Sequence, residues 1–113
     1  MYDDVKQKFQ SMIDNAETPM EKEFWQMATD LLDKFENLAD DEAIRIDRDG
    51  ESLYLWKGEN SVQFVNTEEK KSGSKDIGEA ITLAVLFIRD GDSTIAIVTK
   101  SEALQKKLEV MMS

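Results

Sequence analysis

Residues 81–100, Ile-Thr-Leu-Ala-Val-Leu-Phe-Ile-Arg-Asp-Gly-Asp-Ser-Thr-Ile-Ala-Ile-Val-Thr-Lys, constrain the fold more than any other stretch of the chain. The first half is apolar at both alternating positions, with Ile81, Leu83, Val85 and Phe87 on one side and Ala84, Leu86 and Ile88 on the other. It reads as a strand buried on both faces and therefore central in its sheet. Gly91, between Asp90 and Asp92, supplies the positive φ of a tight hairpin turn, and Thr94 to Val98 read as the returning strand. Leu86 and Ile88 then share a face with Ile95 and Ile97, while Val85 and Phe87 share the other with Ala96 and Val98. The rest of the chain has to supply neighbours and cover for this hairpin.

Two helices precede it. Tyr2, Val5, Phe9, Met12, Ile13 and Ala16 recur at spacings of three and four, which predicts an amphipathic helix over 3–15 capped by Asp3 or Asp4. Thr18-Pro19-Met20-Glu21 is a helix start written in side chains. Thr18 is the N-cap, Pro19 takes the first helical position where its missing N–H costs nothing, and Glu21 completes a capping box. The second helix is expected to run to about Leu38, with Met20, Phe24, Met27, Ala28, Leu31, Phe35 and Leu38 as its seam. The short link makes the pair an antiparallel helical hairpin.

From Ala39 the period changes from helical to alternating. Ile44 and Ile46 alternate with Arg45 and Asp47, and Asp49-Gly50 turns the chain so that Ile46 faces Leu53 and Ile44 faces Leu55. A second turn at Lys57-Gly58-Glu59-Asn60 sets Leu55 against Val62 and Leu53 against Phe64. Residues 66–79 have no period and read as a mobile loop. Ser101 is expected to cap a last helix, Glu102 to about Met112, with Leu104, Leu108 and Met111 as its packing stripe. The predicted fold is a single α+β domain over residues 1–113, in the order ααβββββα. An N-terminal antiparallel helical hairpin packs on a five-stranded antiparallel sheet, and a short C-terminal helix follows. Tyr54, Trp56, Val65, Val85, Phe87 and Val98 form an outer sheet face too apolar for water, to be covered either by the C-terminal helix or by a partner, so that a homodimer or partner surface is one of the two expectations for it.

The chain has no histidine and no cysteine. The commonest general base, the commonest metal ligand and the thiol nucleophile are thus excluded, along with disulfides. No glycine-rich phosphate loop is present, since Ser72-Gly73-Ser74-Lys75 lacks the required pattern. Asp47-Arg48-Asp49-Gly50-Glu51 fails as a calcium loop because Ser52 and Gly58 fall where glycine and a bidentate Glu are needed. No catalytic, cofactor-binding or metal-binding residue is assigned, and no cofactor is expected.

Acidic residues number 24 against 14 basic, a net charge of −10. That balance opposes direct binding to nucleic acid or to an anionic membrane and favours a protein partner with a basic surface. Absence of cysteine and an acidic N-terminus without a signal-peptide core point to the cytoplasm. The expected partner-binding residues are Asp33, Glu36, Asp40, Asp41 and Glu42, with 33, 36 and 40 on one helix face, and Tyr54 and Trp56 as aromatic anchors. Spaced carboxylates of this kind imitate duplex phosphates. In charge and size, though in no motif, the chain is analogous to phage-encoded anti-CRISPR and anti-restriction proteins. The expected function is a small non-enzymatic protein-binding protein that inhibits a nucleic-acid-binding protein. The alternative is a homodimeric structural or chaperone-like module joined by the outer sheet face.

Overall fold

The computed structural model describes residues 2–113 and divides the chain into two compact units, Met1–Asn37 and Leu38–Ser113. The class is α+β, with two N-terminal helices, a five-stranded antiparallel sheet and two further helices.

The first unit is the helical hairpin, α1 (Tyr2–Asp14) and α2 (Pro19–Glu36). Thr18 caps α2, its hydroxyl accepting from the Glu21 N–H at 3.1 Å. The Glu21 carboxylate reaches back one residue further than the usual box, accepting from the Glu17 N–H at 3.2 Å. Thr18→Ala is expected to destabilise the hairpin by about 1 kcal/mol, and Thr18→Ser to leave it nearly unchanged. Helical circular dichroism against temperature checks both, and an unchanged alanine variant would contradict the cap. Phe9, Ala28, Leu31, Leu32 and Phe35 are buried, and the Phe9 and Trp25 rings meet at 5.4 Å between centroids. Met20, placed in the seam by spacing, is exposed instead. Lys6 of α1 ties to α2 through Glu36 at 2.6 Å and Asp33 at 3.6 Å.

The second unit contains β1 (Glu42–Arg48), β2 (Glu51–Lys57), β3 (Val62–Asn66), β4 (Lys71–Lys75), α3 (Ile77–Arg89), β5 (Ser93–Thr99) and α4 (Lys100–Met112). Across the sheet the strands run β4-β3-β2-β1-β5. The first hairpin has the expected register, Ile44 opposite Leu55 and Ile46 opposite Leu53. Its turn is made by two left-handed residues, Asp49 at φ 51° and Gly50 at φ 81°, as a primed turn requires. The next register is two residues from the expected one. Leu55 faces Phe64 and Lys57 faces Val62, because Gly58 and Ser61 close the turn at 2.9 Å with Asn60 at φ 58°. A shift of two leaves every side chain on its face, so the inner set Ile44, Ile46, Leu53, Leu55, Val62 and Phe64 is unchanged.

Three expectations are corrected. Residues 81–88 are not a strand but most of α3, and the 81–100 hairpin does not exist. A run apolar on every side suits a buried helix as well as a buried strand. Asp76 decides between them, since its carboxylate caps the helix by accepting from the Glu79 N–H at 2.9 Å. Gly91 is accordingly free of left-handed φ; a Cβ there would stand 3.0 Å from the Asp49 carboxylate. The 66–79 loop contains the fourth strand, β4, paired with β3 so that Gly73 faces Phe64. The Phe64 ring packs over Gly73, 3.5 Å from where a Cβ would stand, an ordinary contact distance.

The helix order therefore places α3 between the fourth and fifth strands. β4 and β5 are opposite edges of the sheet, and α3 carries the chain from one to the other. β4 ends beside Val62 and β5 opens beside Arg48, so the crossing is diagonal, from one end of the sheet to the other, and the thirteen residues of α3 span about 20 Å of it. Ile77, Ala80, Ile81, Ala84, Val85 and Phe87 of α3 are buried.

Candidate functional site

The two faces of the sheet place the chemistry-bearing side chains. Tyr54, Trp56, Val65 and Ala43 share one face, and α4 lies on it with Ala103 buried among them and Val98 and Val110 packed alongside. Tyr54 and Trp56 are each only 3% exposed. They are core residues rather than aromatic anchors for a partner. The face expected to form a dimer interface is covered by this chain's own helix, and Val85 and Phe87 are not part of it because they belong to α3.

The C-terminal helix packs by a different side from the one its spacing suggests. Thr99, not Ser101, is its N-cap, accepting from the Glu102 N–H at 3.1 Å. Capping there brings Ala103 onto the two large rings, and a small residue is what lets a helix backbone approach them closely. Leu104, Leu108 and Met111 then point outward, 43%, 55% and 65% exposed. Spacings of four and three put these three side chains in one ridge along the helix. Periodicity found the ridge; which way it faces depended on the bulk of Tyr54 and Trp56 across the interface.

A polar clasp fastens the start of α4 to the sheet. Arg45 donates to Asp47 at 2.9 Å and to Glu102 at 2.8 Å, and the Tyr54 hydroxyl donates to the same Glu102 oxygen at 2.8 Å. Ser52 donates to the second Asp47 oxygen at 2.6 Å. The Arg45 and Tyr54 bonds hold the Glu102 carboxyl below the usual carboxylate range. Burial, and then the bond to Glu102, push the Tyr54 phenol up to about 12. A phenol held protonated and a carboxylate held ionised, bonded to each other, suit a structural clasp rather than proton transfer near neutral pH.

At one end of the sheet three turns meet: Asp49-Gly50, residues 67–70 and residues 90–92. They bring Asp49, Glu51, Glu68, Glu69, Asp90 and Asp92 to that end, where Arg48 is buried. The Arg48 guanidinium pairs with Glu68, with Asp90 at 3.1 Å and with the Phe87 carbonyl at 3.2 Å, and lies 4.2 Å over the Phe87 ring. It joins β1, the β3–β4 turn and the end of α3. Neither this cation nor the Arg45 clasp stood out in the sequence, because each draws on partners far from the arginine along the chain.

The expected acidic row is divided. Asp33 and Glu36 lie in α2, both close to Lys6, and α2 ends at Glu36 with Asn37 as its C-cap. Asp40 and Asp41 lie in the turn before β1, and Glu42 opens that strand, its carboxylate accepting from the Ala39 N–H at 2.9 Å. Asp40 therefore does not continue a helical face with Asp33 and Glu36. No group of three or more potential metal-ligating residues occurs among the described residues, and none of their helices is long and apolar enough to cross a membrane. Compared with family models, with curated proteins and with solved structures, the chain has no match.

Proposed function

We propose that this chain is a non-enzymatic, cytoplasmic protein-binding protein that docks the outer ridge of α4 into an apolar groove on a partner with a basic rim. The observation that carries the reading is the exposure of Leu104, Leu108 and Met111 together along one helix. Side chains at i, i+4 and i+7 are the anchors by which amphipathic helices enter grooves. The anchoring role that the sequence suggests for Tyr54 and Trp56 passes to these residues. A net charge of −10 supports a basic rim, since it draws in cationic surfaces and repels acidic ones. Proteins that handle nucleic acid have surfaces of that kind, so inhibition of such a protein is the finer form of the proposal. Lack of histidine and cysteine supports a binding role over a catalytic one.

The test is made on a partner recovered from host lysate at low salt. Leu104→Ser with Leu108→Ser is expected to weaken its binding by about tenfold or more, the loss of a hot-spot contact. Both side chains are exposed, so thermal melting should not move. Rising ionic strength should weaken the wild-type complex as well. Unchanged affinity in the double variant overturns docking through the ridge, and salt-insensitive binding overturns the basic rim.

A further inference from the structure

We propose that the free edge of β5 is an interface with a second copy of this chain, pairing antiparallel with the partner copy's β5 about a two-fold axis at Ala96. The two edges of the sheet are built differently. β4 is short, five residues, with Lys71 and Lys75 at its ends, the charged edge by which sheets avoid pairing with one another. β5 has seven residues, Ser93-Thr-Ile-Ala-Ile-Val-Thr99, with no charge and no proline. Its Ile95 and Ile97 are 41% and 47% exposed. In a chain that is 34% charged, this edge alone lacks protection.

The backbone is poised in the matching phase. Lys100 donates to the Asp41 carbonyl at 2.7 Å, and Asp41 and Lys100 continue the β1–β5 register. Hydrogen-bonded pairs alternate in an antiparallel ladder, so Thr94, Ala96 and Val98 face β1, while Ser93, Ile95, Ile97 and Thr99 turn their N–H and C=O groups outward. An axis at Ala96 pairs Ile95 with Ile97 of the partner subunit and Ser93 with Thr99 of the partner subunit. Each of these is an outward-facing pair that exchanges both bonds. The same axis sets Asp92 opposite Lys100 of the partner subunit at both ends of the ladder. One register thus satisfies the edge backbone, pairs the exposed isoleucines and matches the flanking charges. The contact is isologous, so it closes at two copies and joins two five-stranded sheets into one.

The chain's lack of cysteine makes the register directly testable. Ala96→Cys places two thiols across a non-hydrogen-bonded pair, where the Cα separation of about 4.5 Å is within disulfide range. Mild oxidation is expected to cross-link that variant into a dimer of 12.9 kDa chains. Sedimentation equilibrium of the wild type is expected to show a reversible dimer, and Ile97→Lys to raise its dissociation constant by about tenfold or more. Asp92→Lys should also weaken it, and adding Lys100→Asp to that variant should restore it. Unchanged circular dichroism establishes that each variant is folded. A wild type that stays monomeric at millimolar concentration overturns the proposal, as does a dimer indifferent to Ile97→Lys or one whose Ala96→Cys form does not cross-link. None of these measurements involves another protein, so they fail or succeed independently of docking through α4.

Discussion

Replacing Trp56 by alanine is expected to destabilise the second unit by roughly 3–5 kcal/mol, the range for large aromatic truncations in a packed core. Trp56 is buried on β2, an interior strand of the sheet, and belongs to the cluster with Tyr54, Val65, Ala43 and Ala103 that seats α4. The cavity would open directly under the helix. Little else can collapse into it, because the sheet is held by ladders on both sides of β2 and Ala103 carries only a methyl group. A loss of this size is a large fraction of what a small unit possesses. The α4 amides should therefore exchange with solvent well before those of β1 and β2. Amide hydrogen exchange followed through urea titration measures both quantities. Trp25 lies in the other unit, so the remaining tryptophan emission reports the helical hairpin separately. Leu108→Ala is the control and should cost almost nothing, because that side chain is already half in water. A Trp56→Ala variant within about 1 kcal/mol of the wild type would mean that α4 does not depend on its aromatic seat.

Alkali is expected to loosen the same helix. Tyr54 is buried and its hydroxyl is bonded to an ionised carboxylate, so its phenol titrates near 12 in the fold against an ordinary value of 10.0. The fold holds the proton more tightly than the unfolded chain does. Its contribution is thus fully present below pH 10 and is lost as the pH rises toward 12. A difference of that size corresponds to roughly 3 kcal/mol at most. In the other unit Tyr2 is raised in the same direction, first by burial and then by Glu36, so the hairpin shares the trend. Tyr54→Phe separates the two. It removes the second unit's alkaline loss while giving up one hydrogen bond, worth about 1 kcal/mol, at neutral pH. Stability of wild type and variant measured on either side of this window should converge or cross as the pH rises. Parallel curves would show that Tyr54 is not the group responsible. On the acid side the sign reverses. The Glu102 carboxyl is held low by Arg45 and Tyr54, so its contribution is present above the usual carboxylate range and is lost as the pH falls through the lowered value. Glu102 is 39% exposed, and solvent keeps that acid effect small.

These two experiments act on residues whose importance is invisible without the fold. Local signals were legible in the sequence because everything they need lies within a few residues. Thr18, Pro19 and Glu21 start α2 with their own atoms, and Asp49-Gly50 turns the first hairpin by its own φ angles. Alternation in 44–55 set the inner face of two strands, since the side-chain period of a strand is fixed by its backbone. β5 was legible as a strand for the same reason, although its neighbour is β1.

Tertiary structure decided the rest. Residues 81–88 are apolar all round, so their own pattern does not distinguish a buried helix from a buried strand. The structure gives them to α3, which takes the chain between opposite edges of the sheet. Lys71–Lys75 has no apolar period and becomes a strand because β3 offers it a ladder. Leu104, Leu108 and Met111, expected as the packing stripe of the last helix, face solvent instead. Spacings of three and four say only that a helix has an apolar side. Which side it buries depends on what stands opposite, and the rings of Tyr54 and Trp56 accept the small Ala103 and leave the large side chains to water.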